Sequence, residues 1–267
     1  MKKIITLLLI FATLNCEAQS RWSIKRSKRF GTLLPKAYVM IITGQSNALS
    51  AGQNLNNSFT ANPQLTKHFD STTNAFIPYV SNLFNGGYET QAGGLQGALR
   101  GDTILLIRVA YSGVSITNWS KDGNGYIWTA LKRNIDSAFN VIRRSSKRPI
   151  VLSVMWDQGS TDALNQMPQA EYTARIDTVI QNIQSLQPEL LSSNFVMVKI
   201  RPDNTFGAGG TNSPVANVNL SMDAMVTKYS FCRTIDPVAI GAGYADCCHF
   251  GSGSFMILAN YWSSIIP

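Results

Sequence analysis

Apolar residues along this chain gather into short unbroken runs, and the runs alternate with longer segments in which apolar positions recur every three or four residues. Residues 37–43, 103–109, 149–155 and 194–200 are of the first kind. They have strand length and lack the polar alternation of a solvent-facing sheet, so each predicts a strand covered on both faces. Residues 128–143 are of the second kind, with Ile127, Leu131, Ile135, Phe139 and Ile142 on one helical face. Residues 169–186 predict another amphipathic helix, stopped by Pro188, residues 212–230 are helical in part, and the last helix spans about 253–265. Residues 238–241 read as a short fifth strand. Strands alternating with helices imply a parallel sheet covered on both faces, an α/β fold.

Residues 50–101 break this rhythm. They are polar and rich in Asn, Gly and Thr, and predict a long loop. Its aromatic residues Phe59, Phe69, Phe76, Tyr79, Phe84 and Tyr88 either pin it to the core or wall a substrate cleft. No repeat or linker divides the pattern, and 267 residues suit one full domain.

The start of the chain departs in another way. Lys2 and Lys3 precede an apolar stretch over 4–14 and then Cys16-Glu17-Ala18, the layout of a signal peptide over 1–18. Export to the periplasm or outside the cell is expected. Lipidation at Cys16 is the alternative, disfavoured by the preceding Leu14-Asn15. No later run has the roughly 18 apolar residues of a membrane span. The net charge of +8 is largely Arg21, Lys25, Arg26, Lys28 and Arg29, inside a basic arm over 19–36. That arm reads as a solvated lead-in to a domain over 37–267, and no nucleic-acid partner is expected from it. Without Cys16, the cysteines are Cys232, Cys247 and Cys248, which allows one disulfide and a free thiol or no disulfide. There is no C-x-x-C pair, and His68 and His249 are the two histidines. No metal or cofactor is expected, and the oligomeric state is open. His68, in the polar stretch, reads as exposed or substrate-facing.

Candidate chemistry collects where the predicted strands end. Ser46 follows the first strand, Gly113 the second, Gln158 and Gly159 the third, and Asp246 with His249 precede the last helix. In open α/β sheets ligands bind at this carboxyl edge. A serine hydroxyl needs a base to take its proton, and an imidazole titrates in the right range to do so. Asp246, three residues before His249, is placed to orient that ring. An α/β-hydrolase is disfavoured, because the last glycine of its G-x-S-x-G elbow is Ala48 here, and its acid and histidine lie on separate loops.

These blocks resemble the SGNH hydrolases, in particular the sialate O-acetylesterase-like carbohydrate esterases. Gly44-Gln45-Ser46-Asn47 is similar to their G-Q-S-N block, and 111–116 with Trp119 to their second block. Residues 156–162 are similar to W-x-Q-G-E-[ST]-D, and 246–249 to D-x-x-H. The resemblance implies a three-layer α/β/α sandwich with a flavodoxin-like parallel sheet. It implies Ser46, His249 and Asp246 as the catalytic triad, and an oxyanion hole from the backbone of Ser46 and Gly113 and the amide of Gln158. Gln45, Asn47, Trp119 and Asp162 would bind substrate. The activity implied is removal of O-acetyl groups from a carbohydrate without a cofactor. Ser160 replaces the family Glu, and Val114 follows Gly113 where the family has a second glycine; both departures bear on the substrate pocket. The competing readings are an ester or thioester hydrolase for lipids and a silent glycan-binding module. The polar 50–100 stretch argues against the first, and the complete Ser, Asp and His set against the second.

Overall fold

A computed structural model describes residues 34–50, 59–79, 87–121, 125–201, 214–245 and 249–267. The expected leader, most of the basic arm, Phe84, Asp246, Cys247 and Cys248 lie outside the described residues. The strands are β1 (Lys36–Gly44), β2 (Thr66–Asp70), β3 (Ala75–Pro78), β4 (Ile104–Ala110), β5 (Arg148–Asp157), β6 (Asn194–Val198) and β7 (Cys232–Ile235). Among the described residues they form one seven-stranded sheet in the order β3-β2-β4-β1-β5-β6-β7. The β2–β3 pair is antiparallel and the other pairs are parallel. With that hairpin set aside, the order is β4-β1-β5-β6-β7, the second-first-third-fourth-fifth order of flavodoxin. The chain reverses its direction of winding between β1 and β5, so the crevice above those two strands is the place where such a sheet binds ligands.

The helices are α1 (Tyr88–Arg100), α2 (Tyr126–Arg144), α3 (Ser160–Leu164), α4 (Gln169–Ser185), α5 (Pro214–Lys228) and α6 (Ser252–Ser264). Successive strand residues point to opposite faces, and β1 uses both. Val39 and Ile41 pack into a core with Leu131 and Ile135 of α2, Ile176 and Ile180 of α4, and Val218 and Met222 of α5. Met40 and Ile42 pack into a second core with Tyr88 and Ala92 of α1 and Phe255, Leu258 and Trp262 of α6. This is the three-layer sandwich. Its pairing slips once: Val39 lies opposite Val151 but Met40 opposite Ser153, so β5 carries one residue more than β1 there.

Two parts of the chain depart from the sequence pattern. The stretch over 50–101 contains β2, β3 and the whole of α1. Helix α1 is hard to see because Gly93, Gly94 and Gly97 lower its propensity and its inward side is polar. The glycines are there for contact: a Cβ on Gly93 would sit 2.9 Å from Thr66 Cγ2, and one on Gly97 2.9 Å from the carbonyl oxygen of Asp102. The buried amides tie α1 to α6, with Gln91 Nε2 donating to Asn260 Oδ1 at 2.9 Å and Gln96 Nε2 to the Ser263 carbonyl at 2.8 Å. Second, the short strand lies at Cys232–Ile235, not at 238–241. Asp236 Oδ1 accepts from the N–H groups of Val238 and Ala239, at 3.0 and 3.3 Å, and this Asx-type turn competes with strand pairing.

His68 also differs from expectation. It lies on β2, 4% exposed, with Nε2 at 3.1 Å from Thr90 Oγ1. Burial, with Arg108 adding to it, pushes its pKa down to about 3, so the ring stays neutral in the core. Cys232 is a buried free thiol, pushed up to about 12 by burial.

Candidate active site

The nucleophile turn begins where β1 meets the end of β5. Gly44 has φ +144°, and a Cβ there would lie 2.0 Å from the carbonyl oxygen of Asp157. That same oxygen accepts the N–H of Gln45 at 2.8 Å. The chain can make this approach only without a side chain. Ser46 then caps a short 3-10 turn over Asn47–Leu49 and is 6% exposed.

His249 reaches Ser46 from the other side of the crevice. Its Nε2 lies 3.1 Å from Ser46 Oγ, a spacing over which the hydroxyl donates to an unprotonated nitrogen. The loop that carries it is fastened at its base, where Tyr244 bridges Phe250 and the N–H of Ala245 donates to the carbonyl of His249 at 2.8 Å. Asn47 Oδ1 accepts the N–H of Phe250 at 3.3 Å, joining the serine turn directly to the histidine loop. Asp246 lies outside the described residues.

Gly113 lies on the opposite flank. The N–H of Tyr111 donates to the carbonyl of Gly44 at 3.1 Å, which draws the chain after β4 over the serine turn. Gly113 has φ +68°, the left-handed region that favours glycine, with open space around it. Among the described residues, neither the Ser46 nor the Gly113 N–H donates to another backbone group.

Five expected site residues are engaged within the protein. Gln158 is fully buried, and its amide donates to the Val114 carbonyl at 3.1 Å and to Asp162 Oδ2, while Tyr172 donates to its Oε1 at 3.0 Å. Both of its N–H donors are committed, so it braces the Gly113 loop and does not point at an oxyanion. Asp162 is also fully buried. It accepts from Ser115 Oγ at 2.5 Å and from the N–H of Ile116 at 3.1 and 3.0 Å, which anchors the same loop. Burial raises its carboxyl pKa and these hydrogen bonds oppose the rise. Trp119 is wholly buried in edge-to-face contact with Trp156, ring centres 5.0 Å apart; it is core, not substrate surface. Gln45 is 3% exposed, with Oε1 accepting from the N–H groups of Gly159 and Thr161 at 3.2 and 3.4 Å. Asn47, the remaining expected substrate ligand, is buried and spends its Oδ1 on Phe250, as above.

Gln158→Ala is therefore expected to cost about 2–3 kcal/mol of stability, because it strands buried polar partners. Its kcat loss should stay well below the roughly 100- to 1000-fold of a missing oxyanion donor. Thermal melting alongside kcat checks this. An unchanged Tm with a hundredfold fall in kcat would restore the oxyanion role.

One buried acid went unnoticed in the sequence. Asp157 ends the apolar run of β5, 3% exposed, and Tyr88 donates to its Oδ2 at 2.8 Å. The signal was available: a lone carboxylate closing an otherwise apolar strand. Burial pushes its pKa up to about 7, against the lowering effect of the Tyr88 hydrogen bond. An unfolded aspartate ionises near pH 4. Between roughly pH 4 and 7 the folded chain holds a proton that the unfolded chain has released. Stability from this site thus falls as pH rises through that window and levels off above it. Asp157→Asn keeps an acceptor for Tyr88 and cannot ionise. It is expected to raise Tm relative to wild type at pH 8 and to change it little at pH 4. A variant shifted equally at both pH values would remove this ionisation from the account.

Sheet order, serine turn and facing histidine together define an SGNH-type hydrolase. A family model described as carbohydrate esterase, sialic acid-specific acetylesterase, matches residues 86–261. The chain belongs to this family and is a carboxylic ester hydrolase. The match begins beyond the serine turn, so the role of Ser46 rests on geometry. Three solved structures share the fold. A protein of Arabidopsis thaliana superposes with a TM-score of 0.65 at 16% identity, over 87% of this chain and 100% of its own. NanS gives 0.62 at 12% identity, over 87% and 97%. A carbohydrate acetylesterase from Xanthomonas citri gives 0.58 at 16%, over 84% of this chain and 55% of that one. At these identities the likeness is one of fold. No curated protein sequence matches the chain significantly.

Proposed function

We propose that this protein is an exported serine esterase that removes O-acetyl groups from a carbohydrate through an acyl-enzyme. The observation that carries the reading is the 3.1 Å approach of His249 Nε2 to Ser46 Oγ above the β1–β5 crevice. Ser46 Oγ attacks the acetyl carbonyl as its proton passes to His249. Negative charge gathers on the carbonyl oxygen, facing the N–H groups of Ser46 and Gly113. Collapse expels the sugar oxygen, which takes the proton back from His249. Water, activated by the same ring, then releases acetate. Asp246, three residues before His249, is assigned the orienting role on spacing. Export rests on the leader-like 1–18 segment; no helix among the described residues is long and apolar enough to cross a membrane.

The test is acetate release from acetylated xylan, O-acetylated sialic acid and p-nitrophenyl acetate, with rapid-quench mass spectrometry of the peptide carrying Ser46. The expected result is acetate from at least one carbohydrate and a transient acetyl group on Ser46. Cleavage confined to p-nitrophenyl acetate would overturn the carbohydrate assignment. Turnover by folded Ser46→Ala at the wild-type rate would overturn the mechanism.

A further inference from the structure

Among the described residues, the largest aromatics are buried, and Tyr88, Tyr172, Trp119, Trp156 and Trp262 are each 0% exposed. Tyr111 and Tyr126 are not: they are 36% and 55% exposed and meet edge to face, with ring centres 5.6 Å apart. Their position is specific. Tyr111 is the first residue past β4, hydrogen-bonded through its N–H to Gly44, two residues from Ser46 on one side and two from Gly113 on its own. Tyr126 opens α2. That helix returns the chain from the carboxyl end of β4 to the start of β5, so its first turn lies at the same edge of the sheet. Two exposed rings therefore flank the serine on the β4 side.

Exposed apolar surface of this kind, when held in fixed geometry at a functional edge, marks a binding site. Its surroundings indicate the ligand. Ser112 and Gly113 are exposed beside Tyr111, and Ser115, Thr117 and Asn118 are part-exposed beyond them. A fatty acyl chain would need a continuous apolar groove here. A pyranose ring has a C–H face, which stacks on an aromatic ring, and a rim of hydroxyls, which suits a polar surround.

We propose that Tyr111 and Tyr126 form a platform that seats a sugar ring of the acetylated glycan beside Ser46. The proposal rests on the carbohydrate esterase reading above and adds the recognition element: the enzyme selects glycan-borne acetyl groups by the C–H face of the ring that carries or adjoins them.

The experiment compares kcat/KM for a glycan substrate with kcat/KM for p-nitrophenyl acetate, which has no pyranose ring. Acetylated xylo-oligosaccharides and an O-acetylated sialoside serve as the glycans, with wild type, Tyr111→Ala, Tyr126→Ala and Tyr126→Phe. Each alanine variant is expected to lower the glycan-to-small-ester ratio about tenfold, mainly through KM, as loss of one aromatic contact would. Tyr126→Phe should keep the ratio. A purely structural role would lower both substrates together along with Tm and leave the ratio unchanged, which would overturn the platform. Wild-type enzyme that cleaves p-nitrophenyl acetate but neither glycan would overturn the carbohydrate reading and the platform with it.

Discussion

Replacing Ser46 with alanine is expected to lower kcat by about a millionfold, the scale at which loss of a nucleophile leaves only binding and oxyanion stabilisation. Tm should stay close to wild type. Ser46 Oγ makes its hydrogen bond to His249, not to the core, so its loss disturbs no packing. His249→Ala should fall to the same floor, and the double variant no lower, because a nucleophile and its base act as one unit. Single-turnover kinetics on the three variants measures this. Losses that multiply in the double variant would mean that the two residues act independently, and the 3.1 Å contact would then have no catalytic meaning.

Gly44→Ala should be the most damaging substitution to the site's framework. The new methyl would begin 2.0 Å from the Asp157 carbonyl oxygen, at φ +144°, where an L side chain is already strained. Backbone cannot swing aside as a flexible side chain can. A loss on the order of 4 kcal/mol is expected, together with activity, since the Gln45 N–H to Asp157 bond at 2.8 Å would have to open. Chemical denaturation and kcat on the same preparation test it. Wild-type stability would show that β1 and β5 can separate at this end without cost.

The central strands and the longer helices were legible because burial on two faces leaves an unmistakable signature. The runs over 37–43 and 149–155 fall inside β1 and β5, and the 128–143 helix inside α2. Helix α1 was not, since its glycines and buried amides look like loop composition until the neighbouring Thr66, Leu106 and Ser263 are known. The site divides in a similar way. Position after strands or before α6 brought Ser46, Gly113 and His249 to one edge as candidates, and the structure sets His249 Nε2 3.1 Å from Ser46 Oγ. Position alone could not say that Gln158 and Asp162 face each other inside the protein, or that Trp119 packs on Trp156. A polar residue at the edge of a sheet reads the same whether it meets substrate or a neighbour's carbonyl. Spacing along the chain does not reveal which.

The extra residue in β5 has a reach well beyond its own position. Alternation along a strand is a two-beat rhythm, and an inserted beat reverses the phase of everything downstream. Val151 and Trp156 both belong to the core under α2, although their numbers differ in parity, and Asp157 consequently turns toward Tyr88 on the other side. Had β5 kept step with β1, the tryptophan and the aspartate would have exchanged layers, setting a carboxylate against Trp119 and an indole against Tyr88. Deleting Ser153 would remove the bulge and leave Val154 to Asp157 in the layers they now occupy, with Leu152 opposite Met40. The bulge is what lets β5 hold one residue more than its partner without turning its far end over.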